Sequence, residues 1–429
     1  MNSVPLITLL PFLLMLGAIA VMPLWFGHFW DRNRNKLLVA IILSVPSVLY
    51  LLFSSNGVHL YDTMVFDYLP FVILLGGLFV ITGGIFVDTN MPATPAANAI
   101  FLAIGTVLAS FLGTTGAAML LIRPLLHMNR SREHKTHTLL FFIALVCNCG
   151  GLLTPLGDPP LFMMYLRGVP FEWFLKLAPE WLVANGILLV VFFVADRHFW
   201  KKESPAARRL EESEAFSLTV SGKLNFAWLA GVVLAVAFIN PNVIPAIGSK
   251  HYFCFARELV IVALAGLSLI TTPRATRVSN GFTWHPIAEV ACLFLGIFAT
   301  MVPCLLYLQS HAPSLAIPTP VFFYYATGLL SSVLDNTPTA VTYYSLAQGL
   351  NLAGPEMVAG VPESLMKAIC TGAVFFGAMT YIGNGPNFMV KTIAERQNIK
   401  MPDFFSYVWR FSLLVLLPVF IIVQLIFMR

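Results

Sequence analysis

The chain is short of charge. Only 10% of its 429 residues are Asp, Glu, Lys or Arg, against about 25% in a typical soluble domain. A water-soluble enzyme of this length needs a charged exterior, and here 58% of the residues are hydrophobic. The alternating ten-residue segments of an outer-membrane barrel are also missing. Cysteine is scarce, with six residues. Cys147, Cys149, Cys292 and Cys370 fall inside apolar segments, and Cys254 and Cys304 lie near segment ends. Cys147-x-Cys149 lacks the CxxC spacing and a neighbouring His cluster, so small residues packing between helices explain it better than a metal. There is no Walker loop, no triad arrangement and no zinc spacing, which argues against an enzyme. The net charge of +5 comes from loops and forms no nucleic-acid surface. The lack of a sizeable soluble domain argues against a membrane sensor or scaffold.

What is present is a succession of apolar runs, several long enough to cross about 30 Å of hydrocarbon. The expected fold is an all-α polytopic membrane protein with about ten transmembrane helices and two re-entrant hairpins. Spans are expected over 5–26, 37–53, 69–88, 138–166, 173–195, 225–240, 257–271, 286–308, 364–390 and 406–428, those at 138–166 and 364–390 being interrupted. The first run is too long for a cleaved signal and no small-residue cleavage site follows it. The stretches 97–126 and 318–349 each have an apolar arm, a polar tip and a second arm, and read as hairpins. With the N-terminus outside, the cytoplasmic segments 27–36, 123–137, 196–224, 271–285 and 391–410 hold 19 of the 25 Lys and Arg residues. The outside segments 54–68, 309–317 and 350–363 hold none, as the positive-inside bias requires. The first hairpin then enters from the cytoplasm and the second from outside. The organisation is 1–68 scaffold, 69–195 first repeat, 196–224 a partly helical cytoplasmic linker, 225–285 scaffold and 286–429 second repeat.

The repeats are visible in two pairs of segments. "SFLGTTGAA" (Ser110–Ala118) matches "SVLDNTPTA" (Ser332–Ala340) at Ser, Leu, Thr and Ala, and "TPLGDPPLFM" (Thr154–Met163) matches "TYIGNGPNFM" (Thr380–Met389) at Thr, Gly, Pro, Phe and Met. The loop charges make corresponding elements run in opposite directions. Such inverted repeats place substrate and ion sites at discontinuous helices near the midplane. Breaking a helix at Gly150–Pro160 frees backbone groups that lipid would not tolerate, but that can line a site. One break alone would read as a packing kink; two matched breaks, each beside a polar-tipped hairpin, read as a site.

The polar residues at these positions are hard oxygen donors. The breaks supply Asn148, Thr154, Asp158, Thr380, Asn384 and Asn387, and the hairpin tips supply Ser110, Thr114, Thr115, Ser332, Asp335, Asn336, Thr337 and Thr339. With backbone carbonyls they suit a small hard cation. A carboxylate at membrane depth is costly and marks function. Asp158 and Asp335 are therefore the expected sites of competition between a proton and a cation, with Asn148, Thr154, Asn336, Thr337 and Asn384 beside them. Each acid could instead serve as an N-cap, Asp158 for the half-helix starting at Pro159 and Asp335 for the arm beginning at Pro338.

At these residues the sequence resembles the ion transporter superfamily. That group includes NhaD-type sodium/proton antiporters, citrate and dicarboxylate carriers, and arsenite permease-like proteins. "NCGGLLTPLGDPP" looks most like the NhaD branch, and "SSVLDNTPTA" like the second-hairpin motif, over about residues 70–428. The resemblance implies that Thr114, Thr115, Asn336 and Thr337 sit at hairpin tips. It implies that Asn148, Asp158 and Asn384 line broken helices, and that a dimeric scaffold carries a moving transport part. Where carboxylate carriers have Ser-Asn-Thr, the first tip here reads Gly-Thr-Thr, and Asp335 adjoins the second. The resulting expectation is a Na⁺(Li⁺)/H⁺ antiporter working by alternating access, without cofactors, in a bacterial inner membrane. The alternative is a Na⁺- or H⁺-coupled carrier of citrate, a dicarboxylate or an oxyanion.

Overall fold

Hydrocarbon offers no hydrogen-bond partner to the backbone, so a chain this apolar must satisfy its peptide groups within helices. The computed structural model describes residues 4–205, 217–249, 253–315 and 317–428, and the protein is a multi-pass, all-α membrane protein. Among the described residues eight helices are long and apolar enough to cross a membrane. Asn33–Phe53 and His285–Leu315 pack together with Leu10–Trp25. Leu69–Thr82, Leu224–Phe238 and Ala256–Thr271 form a second group. Small residues set the spacing: a Cβ on Gly77 would lie 2.5 Å from the Ile261 side chain, so glycine lets the two helices close.

The first hairpin is Pro95–Leu112 followed by Thr114–Met128, with Gly113 at φ 77° turning the chain. Thr94 caps it by accepting from the Ala97 amide, and Pro95 opens its first turn. By length alone Pro95–Leu112 could cross a membrane, but the second arm folds back along it. The second hairpin is Pro320–Val333 followed by Asn336–Gly349. Two further helices are interrupted. Thr136–Leu145 stops and the chain resumes as Pro159–Leu166; Glu363–Phe376 stops and resumes as Gly385–Arg396. The residues between, 146–158 and 377–384, are termed here the first and second break.

Two stretches differ from the sequence expectation. The span expected to 88 ends as a helix at Thr82, and Phe86–Asn90 forms a strand. Its antiparallel partner is Ser217–Ser221, with Phe86 opposite Ser221 and Asn90 opposite Ser217. Gly83 and Gly84 end the helix, and the polar, β-compatible run after them pairs with the end of the linker. That linker is helical as far as Lys202, whereas its far end is strand. Residues 206–216 of it lie outside the described residues. Near its start is a buried charge cluster. Arg132 pairs with Asp196 and, at 3.2 Å, with Glu203, while His137 Nε2 lies 2.8 Å from Asp196 and Asn98 donates to Asp196 at 3.0 Å. The cluster fixes the base of the first hairpin to helix Ala178–Lys202.

Candidate functional site

The breaks exist because two glycines in each face one another. A Cβ on Gly157 would sit 2.0 Å from the Gly151 carbonyl oxygen, and one on Gly383 would sit 2.6 Å from that of Gly377. Only a bare backbone fits such a crossing. Beyond it the chain runs extended through Asp158 (φ −143°, ψ 141°) and Asn384 (φ −147°, ψ 141°) before Pro159 and Gly385-Pro386 restart the helices.

The hairpins take up the freed peptide groups. The Thr114 amide donates to the Gly157 carbonyl at 2.8 Å. Ser110 Oγ donates to the Gly150 carbonyl and Thr154 Oγ1 to the Ser110 carbonyl. Trp181 Nε1 donates to Gly150 at 3.0 Å, and Asn185 to Cys149 at 3.3 Å. In the second half Thr380 Oγ1 donates to the Ser332 carbonyl at 2.5 Å, and Ser331 Oγ to Ala373 at 2.7 Å. Asn387, in the first turn of the resumed helix, closes the second break by donating through Nδ2 to Gly377 at 2.8 Å and Thr380 at 2.9 Å.

Asp158 is fully buried. Although it occupies the N-cap position of Pro159–Leu166, its side chain makes no capping hydrogen bond. The carboxylate turns instead to the hairpins and the second break. Oδ1 accepts from Thr114 Oγ1 at 2.8 Å and Asn384 Nδ2 at 3.2 Å, and Oδ2 accepts from Asn336 Nδ2 at 2.5 Å. Asn384 Nδ2 also reaches the Cys147 carbonyl at 3.0 Å and Asn148 Oδ1 at 3.3 Å, and Asn148 Nδ2 donates to Asn387 Oδ1 at 2.8 Å. Three elements, the two hairpins and the second break, therefore converge on one acid of the first break. None of the ion pairs among the described residues involves Asp158. Beside it the buried Asn336 Oδ1 and Thr337 Oγ1 have no hydrogen-bond partner among the described residues.

Other candidate residues take different places. Asp335 is half-buried and does cap its helix, accepting from the Thr337 amide at 3.0 Å. Thr339 Oγ1 donates back to the Asp335 carbonyl at 3.0 Å. Ser332 contributes only its carbonyl, its hydroxyl turning onto Leu329 at 2.7 Å. Thr115 lines a cavity of about 60 Å³ with Leu75, Leu78, Leu112 and Leu156. The sequence reading missed Ser331 and the Cys147 carbonyl. The doubled serine of "SSVLDN" was the available signal for Ser331; a backbone carbonyl leaves none. No group of three or more His, Cys, Asp or Glu that could hold a metal occurs among the described residues. The groups gathered here are carboxylate, amide and hydroxyl, the oxygen ligands that suit hard cations.

Comparison with known families matches residues 1–428 to one described as "Putative citrate transport". Among curated proteins the chain is similar to inner membrane protein YbiR of Escherichia coli (strain K12). The two are 24% identical over 286 residues, covering 63% of this chain and 69% of YbiR.

Proposed function

The chain belongs to this citrate-transport family, and from that premise we propose a secondary transporter whose Asp158 site exchanges Na⁺ or Li⁺ for protons by alternating access. The observation that carries the reading is a fully buried carboxylate that has no ion-pair partner among the described residues. A bare anion in that position would be strongly disfavoured. It must hold either a proton or a cation. Thr114, Asn336 and Asn384 orient it, and the unpartnered Asn336 Oδ1 offers a further ligand. One occupant excludes the other, which is the requirement for antiport. The matched breaks and hairpins support two inverted repeats, the arrangement that alternating access uses. In the same reading the protein is a homodimer in a bacterial inner membrane, with the transported ions as its only small ligands.

The family description favours a second reading, a Na⁺- or H⁺-coupled citrate carrier. The Asp158 site would then hold the coupling ion. The substrate would meet the helix N-termini at Thr114 and Asn336, with bound Na⁺ offsetting the carboxylates. Purified protein in liposomes with a trapped pH dye and an acid interior separates the two. Alkalinisation on adding NaCl or LiCl, but not KCl, is the expected result. Silence to chlorides, with labelled citrate accumulating under a Na⁺ gradient, would move the protein to the second reading.

A further inference from the structure

A cavity of about 400 Å³ opens at the end of the bundle opposite the basic loops, lined by Phe66, Leu166, Ile239, Phe255, Arg257 and Glu258. Its chemistry is unlike that of the Asp158 site. The Arg257 side chain is 11% exposed and that of Glu258 3%. The Arg257 guanidinium lies 5.6 Å from the Phe162 ring centroid and 5.2 Å from that of Tyr165. Its Nε donates to Glu258 Oε1 at 2.8 Å, and its Nη2 donates to the same oxygen. Glu258 Oε2 is buried without a hydrogen-bond partner among the described residues, a costly state for a carboxylate oxygen. Arg257 also hydrogen-bonds the Tyr165 side chain, which with the two bonds to Glu258 leaves two of a guanidinium's five N–H donors.

The cavity thus sets an unpartnered carboxylate oxygen beside a guanidinium with N–H donors left over. A purely anionic ligand would face Glu258, and a purely cationic one would face Arg257. A ligand bearing both signs a few ångströms apart fits both. The remaining wall is mostly apolar, with Asn240, Asn242 and Cys254 as polar members. Phe66 and Phe255 stack at 6.0 Å, with Leu166 and Ile239 alongside. The site lies at the ends of apolar helices, where lipid headgroups meet the protein. We propose that this cavity binds a phospholipid whose headgroup carries a primary ammonium beside its phosphate. The phosphate meets Arg257, the planar donor suited to it; the ammonium meets Glu258 Oε2; and the first chain carbons run along Phe66, Leu166 and Ile239. The half-helix that begins at Asp158 ends against the same cavity at Tyr165 and Leu166.

The test is native mass spectrometry of the detergent-purified full chain with phosphatidylethanolamine, its N-methyl and N,N-dimethyl derivatives, and phosphatidylcholine. Each methyl removes an N–H, so retention should fall stepwise and reach at least tenfold by phosphatidylcholine. Glu258→Gln should erase the preference. Arg257→Lys should weaken all four lipids together. Should neither variant fold, the methylation series on the native protein decides alone. Equal retention of phosphatidylethanolamine and phosphatidylcholine overturns the proposal. Displacement by soluble O-phosphoethanolamine as effective as that by a short-chain phosphatidylethanolamine would assign the site to a free zwitterion and overturn the lipid; no displacement supports it.

Discussion

Replacing Asp158 by Asn separates the two roles of its carboxylate, hydrogen-bond acceptor and charge. The acceptor role is recoverable. The new amide oxygen can take the bonds from Thr114 and Asn384. Its NH₂ then faces Asn336, whose unpartnered Oδ1 can turn to accept it. Removing a buried charge is itself favourable, so folded stability should change by no more than about 1 to 2 kcal/mol. The charge is not recoverable. For a cation about 2.5 Å from the oxygen, at an effective dielectric of about 20, the lost attraction is about 6 to 7 kcal/mol. That corresponds to a fall in affinity of about 10⁴-fold or more. The assay is binding of radiolabelled Na⁺ to purified protein, with exchange in liposomes and thermal unfolding in detergent measured in parallel. A folded Asp158→Asn protein that exchanges Na⁺ for protons within tenfold of the native rate would refute the reasoning.

Other sites give sharper structural contrasts. Asp335→Asn keeps an N-cap acceptor for the Thr337 amide. Stability should move by less than about 0.5 kcal/mol, and exchange should survive with an affinity loss of about tenfold or less, since this acid is half-buried. Gly157→Ala drives a methyl to 2.0 Å from the Gly151 carbonyl and should eliminate monodisperse protein on size-exclusion chromatography. Ser331→Ala removes a buried hydrogen bond to Ala373 and should destabilise by about 1 kcal/mol. Ser332→Ala should be within about 0.5 kcal/mol of neutral, and the reverse ranking in thermal unfolding would contradict the assignment. Arg132→Gln leaves Asp196, whose side chain is 0% exposed, without its guanidinium. It should lower stability by about 3 kcal/mol or more in the same measurement.

The membrane class and helical fold were legible because hydropathy and loop charge are written residue by residue along the chain. The breaks were legible because Gly157-Asp158-Pro159-Pro160 and Gly383-Asn384-Gly385-Pro386 interrupt helix through backbone chemistry alone. The ribbon between Phe86–Asn90 and Ser217–Ser221 was not, because its strands are distant in sequence and neither holds a long alternating pattern. The two acids looked equivalent in sequence. Their difference arises from side-chain direction: Asp335 turns back to its own helix, whereas Asp158 turns away from its own toward Thr114, Asn336 and Asn384. Likewise, aligning the repeats selects Ser332, but the inward face of that helix carries Ser331.

The amide link between Asn148 and Asn387, together with that from Asn384 to the Cys147 carbonyl, has a kinematic consequence. Each break is held by side chains of the other, so neither can slide along the membrane normal without severing buried hydrogen bonds. The least costly displacement carries both breaks as one body, like two gears keyed to a single shaft. Cross-linking them to each other should leave turnover intact, whereas tying either to helix Leu69–Thr82 should stall it.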